Sequence, residues 1–190
     1  MQNTPAVMEF LLARRSRPAK LLRAPAPDRA QLKLLLTAAA RVPDHGKLEP
    51  WRFVVLDGPA CARVARSVDA RAAVLGLDAE KRAKAVAGFA GSPLIVAVVA
   101  SPKASEKIPE IEQTLSAGAV CLSLVNAALA SGWGACWLTG WAASDATIHA
   151  ELGLTGQEWI AGFIHIGTAD THPPERPRPD IAALTTWLES

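Results

Sequence analysis

The sequence predicts an α+β fold: a small mixed central sheet flanked by helices, with one long central helix. Three observations carry that prediction. Half of the 190 residues are apolar and tyrosine is absent, and alanine dominates the apolar half, which favours helices over strands. Leu94 to Ala100 is a continuous apolar run after Ser92-Pro93, the pattern of a strand covered on both sides. Residues 110 to 131 read as one long helix, kept slim by Ala117, Gly118, Ala119, Ala127 and Ala128. A chain of 190 residues makes one domain, 1–190, burying roughly 70% of its unfolded surface without a disulfide or metal staple.

The elements follow in order. Thr4-Pro5 opens a first helix, where proline's missing N–H does no harm. Val7, Phe10, Leu11 and Arg14 share a face, and Ser16-Arg17-Pro18 ends the pattern. Asp28 with Gln31 forms a capping box for a second helix through Leu32, Leu35 and Leu36 to Arg41, which Pro43 stops. Arg52 to Leu56 is a first strand, ended by Asp57-Gly58-Pro59. Helical segments over 60–73 and 78–89 follow, then the Leu94–Ala100 strand and the long helix, with Gly132 as its C-cap. Ala135 to Thr139 is a third strand, 144–152 a short helix, and Ile160 to Ile166 a fourth strand. From 171 to 190, four prolines precede Ile181 to Leu188. That stretch reads as an arm over a surface, since Trp187 and Leu188 would otherwise be exposed.

Several function classes are excluded by what the chain lacks. A net charge of +2 is too small for nucleic acid or an anionic membrane to be the main partner. Cys61, Cys121 and Cys136 form no CxxC pair, which fits buried thiols in a reducing compartment. The amino terminus has the wrong charge polarity for a signal peptide. The apolar stretch Leu115 to Ala130 falls short of the roughly 20 residues a membrane span needs. A cytoplasmic protein is expected. There is no GxGxxG, no GxxxxGK[ST] and no GxSxG. The four histidines have no metal-ligand spacing, so no metal is expected.

Three polar clusters remain. Arg14-Arg15-Ser16-Arg17 lies where the first helix ends. It is either a solvated, dipole-stabilised helix end or a phosphate cradle of bidentate donors and a hydroxyl. Arg41-Val42-Pro43-Asp44-His45-Gly46-Lys47-Leu48-Glu49-Pro50-Trp51 sets five titratable groups between a helix and a strand. It is either a self-paired charged turn or a ligand loop, in which Gly46 permits positive φ and a close approach to a flat ligand. Gly132 to Gly140 spaces Trp133, Trp137 and Trp141 like a helix, but its glycines argue for a strand. A strand ending in Leu138-Thr139-Gly140 can set bare amides beside a ring system.

Taken in register, these segments resemble the nitroreductase family of flavoproteins, and its compact branch in particular. Arg14-Arg15-Ser16 resembles the family's amino-terminal RRS. Arg41-x-Pro43-Asp44-His45 with Pro50-Trp51 is similar to that branch's R-x-PDH…PW loop. Ser116-Ala117-Gly118 matches the start of its central helix, and Trp137-Leu138-Thr139-Gly140 its W-x-[ST]-G segment. The resemblance implies an intertwined homodimer with exchanged arms and an FMN at each of two interface clefts. It implies that Arg14, Arg15 and Ser16 hold the FMN phosphate and ribityl chain. Arg41 and His45 would come from the other subunit, and Trp137, Leu138 and Thr139 would line the ring. Ala127, Ala128, Leu129, Ala130, Ser131 and Gly132 would meet NAD(P)H. Lys47 and Glu49 stand where broader family members carry Asn and Gln, so contacts by these two side chains do not carry over. A basic residue near the family's carboxy terminus often assists the phosphate; the proline-rich sequence around Arg176 and Arg178 fixes no alignment, so the sequence leaves their roles open.

The activity so implied is an NAD(P)H-dependent flavin oxidoreductase. Hydride would pass from NAD(P)H through FMN N5 to a nitroaromatic, quinone or similar small-molecule acceptor, in a ping-pong sequence. The alternative is an FMN-binding sensor or carrier without turnover, because binding and catalytic residues coincide here. The sequence leaves open the acceptor, the choice of NADH or NADPH, and one- against two-electron transfer.

Overall fold

The computed structural model describes residues 5–188; Thr4, expected to open the first helix, lies outside them. The elements are α1 (Pro5–Ala13), α2 (Arg29–Ala39), β1 (Trp51–Asp57), α3 (Gly58–Val74), α4 (Ala79–Ala90), β2 (Leu94–Ala100), α5 (Glu110–Ala130), β3 (Gly134–Leu138), α6 (Ala146–Glu151), β4 (Trp159–Gly167) and α7 (Ile181–Leu184). The α+β class and the long central helix stand as the sequence predicts.

The sheet runs β1-β2-β4-β3. Every pairing is antiparallel, where the sequence led us to expect a mixed sheet. The reason is topological: β2 and β3, joined through α5, do point the same way, but β4 inserts between them. Alternation along β2 divides the interior into two cores. Leu94, Val96, Val98 and Ala100 face α5 and α2, while Ile95 and Ala97 face α3, α4 and α6. All seven residues of β2 are buried, and each large aliphatic among them contributes roughly 1.5–3 kcal/mol.

Local chemistry sets the boundaries. Asp28 and Gln31 complete the capping box that starts α2. Gly132, at φ +84°, closes α5: its amide bonds Leu129 O and the Trp133 amide bonds Ala128 O, at 3.1 and 3.0 Å. That pair of bonds is a Schellman closure, which needs a left-handed residue. By length and composition alone the 21 residues of α5 would suffice to cross a membrane. One side of the helix is nevertheless committed to the sheet and α2.

Register shifts between Val98 and Val99 set Ala161 aside as the extra residue of a bulge in β4. Trp137 Nε1 donates to the Ala161 carbonyl at 3.1 Å. The indole occupies the space beside Gly162 that an added Cβ would need. After β4 the chain runs without regular structure to Asp180, where α7 begins. Ile181, Leu184, Trp187 and Leu188 are exposed beyond it.

Candidate functional site

The segment after α1 is fastened to the open edge of β3. The Arg17 amide bonds Ala135 O at 2.8 Å, and Arg23 exchanges backbone bonds with Thr168. The first of these bonds holds Arg17, and with it the run that precedes it, against the sheet edge. Arg14, Arg15, Ser16 and Arg17 line a cleft of about 440 Å³ with Cys136 and Leu138 of β3 and with Arg176 and Arg178 of the carboxy-terminal segment. Five guanidinium groups meet one carboxylate there, Glu175. It contacts Arg15 at 3.5 Å and Arg178 at 2.8 Å, and Arg15 also donates to the Pro174 carbonyl.

Arg14 carries a buried donor that nothing satisfies. Its Nη2 reaches Ser16 Oγ at 3.3 Å, but its Nε is buried without a partner. Burial, and then Arg178 and Arg15 nearby, lower its pKa. An anion in this cleft would relieve both the missing bond and the repulsion. Cys136 is a floor residue rather than a reactive one, since burial pushes its thiol up to about 11.

Leu138 also lines a second cleft, of about 490 Å³, on the other side of the β3 terminus. Thr139, Gly140, Trp141, Phe163, His165, Leu75, Lys81 and Lys84 are among its walls. Gly140 sits at φ +103°, a conformation that leaves the backbone bare where the strand ends. Burial holds His165 neutral, with its pKa pushed down to about 4, and its Nδ1 meets Ser92 Oγ at 3.2 Å. A cationic basin and an apolar slot thus meet at one leucine.

The Arg41–Trp51 loop lines neither of these clefts, and Arg41 and His45 are exposed. It is nonetheless a built loop. Asp44 accepts the Leu48 and Glu49 amides at 3.1 and 2.9 Å. Ser116 of α5 donates to the Pro43 carbonyl at 2.7 Å and accepts Trp51 Nε1 at 3.1 Å. His45 Nδ1 pairs with Glu112 Oε2 at 2.7 Å. Lys47 and Glu49 join Gly46 at positive φ, a strain that the surrounding bonds must hold.

Two expectations need correction. Gly46 has positive φ, but the space left by its missing Cβ is filled by Ile108 at 2.5 Å, not left open to a flat ligand. Trp137 does not line either cleft. Side chains alternate along a strand, so with Leu138 facing the clefts, Trp137 turns to the opposite face over Gly162.

Within residues 127–132, Ala128 is fully buried in the core and unable to touch a ligand. Leu129 and Gly132 line a third cleft, of about 340 Å³, that also takes in Arg14, Arg15 and Arg17. Sequence reasoning missed Lys81, Lys84, Phe163 and His165, which carry no motif and meet only through tertiary packing. Glu112, three residues into α5, was equally silent. No group of three potential metal ligands occurs among the described residues.

Comparison with known proteins adds independent findings. Residues 11–168 match the model of the nitroreductase family. The Escherichia coli (strain K12) protein named "Putative NAD(P)H nitroreductase YdjA" is 35% identical over 161 residues, 85% of this chain and 87% of its own. The fold is shared with a nitroreductase-like family protein from Bacillus cereus, at TM-score 0.83 and 22% identity over 100% of both chains. It is shared too with a nitroreductase with bound FMN from Bacteroides fragilis, at TM-score 0.75 and 18% identity over 98% of this chain and 100% of that one.

Proposed function

Because the chain belongs to the nitroreductase family, we propose that it is an FMN-dependent NAD(P)H oxidoreductase acting on nitroaromatic, quinone or similarly electron-poor acceptors. FMN would supply the redox chemistry, taking hydride at N5 from the nicotinamide and, once the oxidised nucleotide has left, passing it to the acceptor.

The observation that carries the reading is the meeting of two unlike clefts at Leu138: arginine-rich on one side, apolar on the other. A flat ring with a phosphate tail has that same division. Arg14, Arg15 and Ser16, with Arg176 and Arg178, would hold the phosphate by charge-assisted bonds. Leu138 and the bare backbone at Thr139 and Gly140 would border the ring, with amides available to its heteroatoms. Lys81 and Lys84 at the rim would favour added negative charge in a slot whose apolar walls exclude water. Neutral His165 adds no competing charge. No nucleophile or general base is required.

A second copy of the chain completes the reading. Ile111, Leu115 and Leu122 form an exposed apolar stripe on α5, with Gly118 and Ala119 between them. On α1, Val7, Met8, Leu11 and Leu12 are exposed as well. Such a surface asks for a cover, and a homodimer would bring the Arg41–His45 loop of one subunit to the other's cleft.

The test is Arg14→Ala. Losing one charge-assisted bond worth roughly 1.5–3 kcal/mol should weaken FMN by about 10- to 150-fold, read as lost flavin absorbance after gel filtration. Full retention would refute the phosphate assignment.

A further inference from the structure

The apolar slot beside Leu138 has more wall than the flavin ring uses. Leu138, Thr139 and Gly140 would border the ring, but another wall comes from a single segment, residues 75–89, with Leu75, Leu77, Lys81, Lys84, Ala85 and Phe89 among its members. None of the segments that resemble family motifs lies on α4. That helix lines the slot with one stripe: Lys81, Lys84, Ala85 and Gly88 stand at i, i+3, i+4 and i+7, which is one helix face. Glycine inside a helix is destabilising, and at Gly88 neither a tight contact nor a left-handed backbone requires it. A Cβ added there would meet no atom within 4 Å. The missing side chain keeps the slot open at that point.

The charge along the stripe is one-sided. The walls carry two lysines and no carboxylate. Lys81 is held by Asp78 at 2.9 Å, an exposed pair that contributes little, whereas Lys84 has no carboxylate partner among the described residues. Trp141 lines the slot too, and its indole N–H has no partner. Apolar area for a ring and donors without acceptors thus lie together.

We propose that α4 selects the electron acceptor by charge: Lys84, supported by Lys81, pairs with a carboxylate carried by an aromatic acceptor whose ring lies in the space that Gly88 leaves open. The proposal rests on the FMN reading above and names the substrate class of the same site. An aromatic acid meets both halves of the wall, its ring by burying apolar area and its carboxylate by a charge-assisted bond. A neutral ring of the same shape satisfies only the first.

The experiment uses FMN-loaded protein and near-isosteric ligands that differ in charge. Benzoate and benzamide are titrated against the oxidised holoprotein and read by the change in flavin absorbance, which measures binding without turnover. The para-nitro derivatives of both are then compared as acceptors by kcat/KM; hydride from the reduced flavin and one proton convert nitro to nitroso and water. Benzoate should bind more tightly than benzamide by about fivefold, the worth of one partly exposed ion pair. Lys84→Gln should erase that preference and lower the kcat/KM ratio of nitrobenzoate over nitrobenzamide by a like factor, and Lys84→Arg should restore both. Gly88→Leu, which fills the open stretch, should weaken benzoate and benzamide alike while FMN is kept. Equal binding of the two ligands by the parent protein, a preference that survives in Lys84→Gln, or unchanged binding by Gly88→Leu would overturn the proposal. Protein that takes up no FMN, or a flavin that neither nucleotide reduces although benzoate is still preferred, would instead defeat the flavin-oxidoreductase reading on which it stands.

Discussion

Glu158 ties the start of β4 to β1, and replacing it with glutamine should cost stability in a pH-dependent way. Its carboxylate meets Arg52 Nε and Nη2 at 2.7 and 2.8 Å and accepts the Thr155 amide at 2.9 Å. The Arg52 bonds, first among the causes, hold its pKa down to about 2 against an ordinary 4.5. At about 1.36 kcal/mol per unit that is worth about 3 kcal/mol. The Arg52 side chain is 37% exposed, so solvent screening reduces the figure to about 2 kcal/mol.

A depressed carboxylate stabilises the folded state above its unfolded pKa and ceases to do so as pH falls through its folded one. Glu158→Gln should therefore lower the unfolding free energy by about 2 kcal/mol at pH 7. The gap should begin to close near pH 4.5 and shrink towards zero approaching pH 2. Urea denaturation of both proteins at several pH values reads this. His165, neutral in the fold with a pKa of about 4, also loses stability as pH drops below 6.5, but it is common to both proteins and cancels in the difference. A gap that is absent at pH 7, or that stays constant down to pH 3, would refute the reasoning.

Two further substitutions test the packing around the site. Gly162→Ala puts a methyl group 2.1 Å from Trp137 Nε1 and should cost about 1–3 kcal/mol by overpacking, read by denaturation; in a Trp137→Ala background that cost should nearly vanish, and an equal cost in both backgrounds would show that Trp137 is not the obstacle. Asp44→Ala removes the acceptor of the Leu48 and Glu49 amides, so hydrogen exchange at those two positions should speed up while α2 stays protected; unchanged protection would mean that the loop holds itself without Asp44.

What could be read from the sequence was what depends on neighbours in the chain. Asp28 with Gln31, Gly132 after α5 and the unbroken apolar run of β2 each state a local requirement, and each element formed where that requirement put it. Strand order was not legible, because nothing near β2 or β3 says that β4, later in the chain, will lie between them. For the same reason the apolar cleft was invisible: Lys84, Leu138 and His165 come from α4, β3 and β4. The cationic half was more legible, since Arg14 to Arg17 are contiguous, yet Arg176 and Arg178 arrive by an irregular proline-rich path. Strand alternation, also legible in the sequence, sends the side chains of Trp137 and Leu138 to opposite faces of β3.

The absorption spectrum of the purified protein, before and after NADPH or NADH is added without oxygen, decides whether the chain turns over a bound flavin. The expected result is a bound flavin that bleaches on adding nucleotide and regains its colour when a nitroaromatic or quinone follows. A bound flavin inert to both nucleotides would leave a flavin-binding module without turnover, and a colourless protein that does not take up FMN would contradict the account at its root.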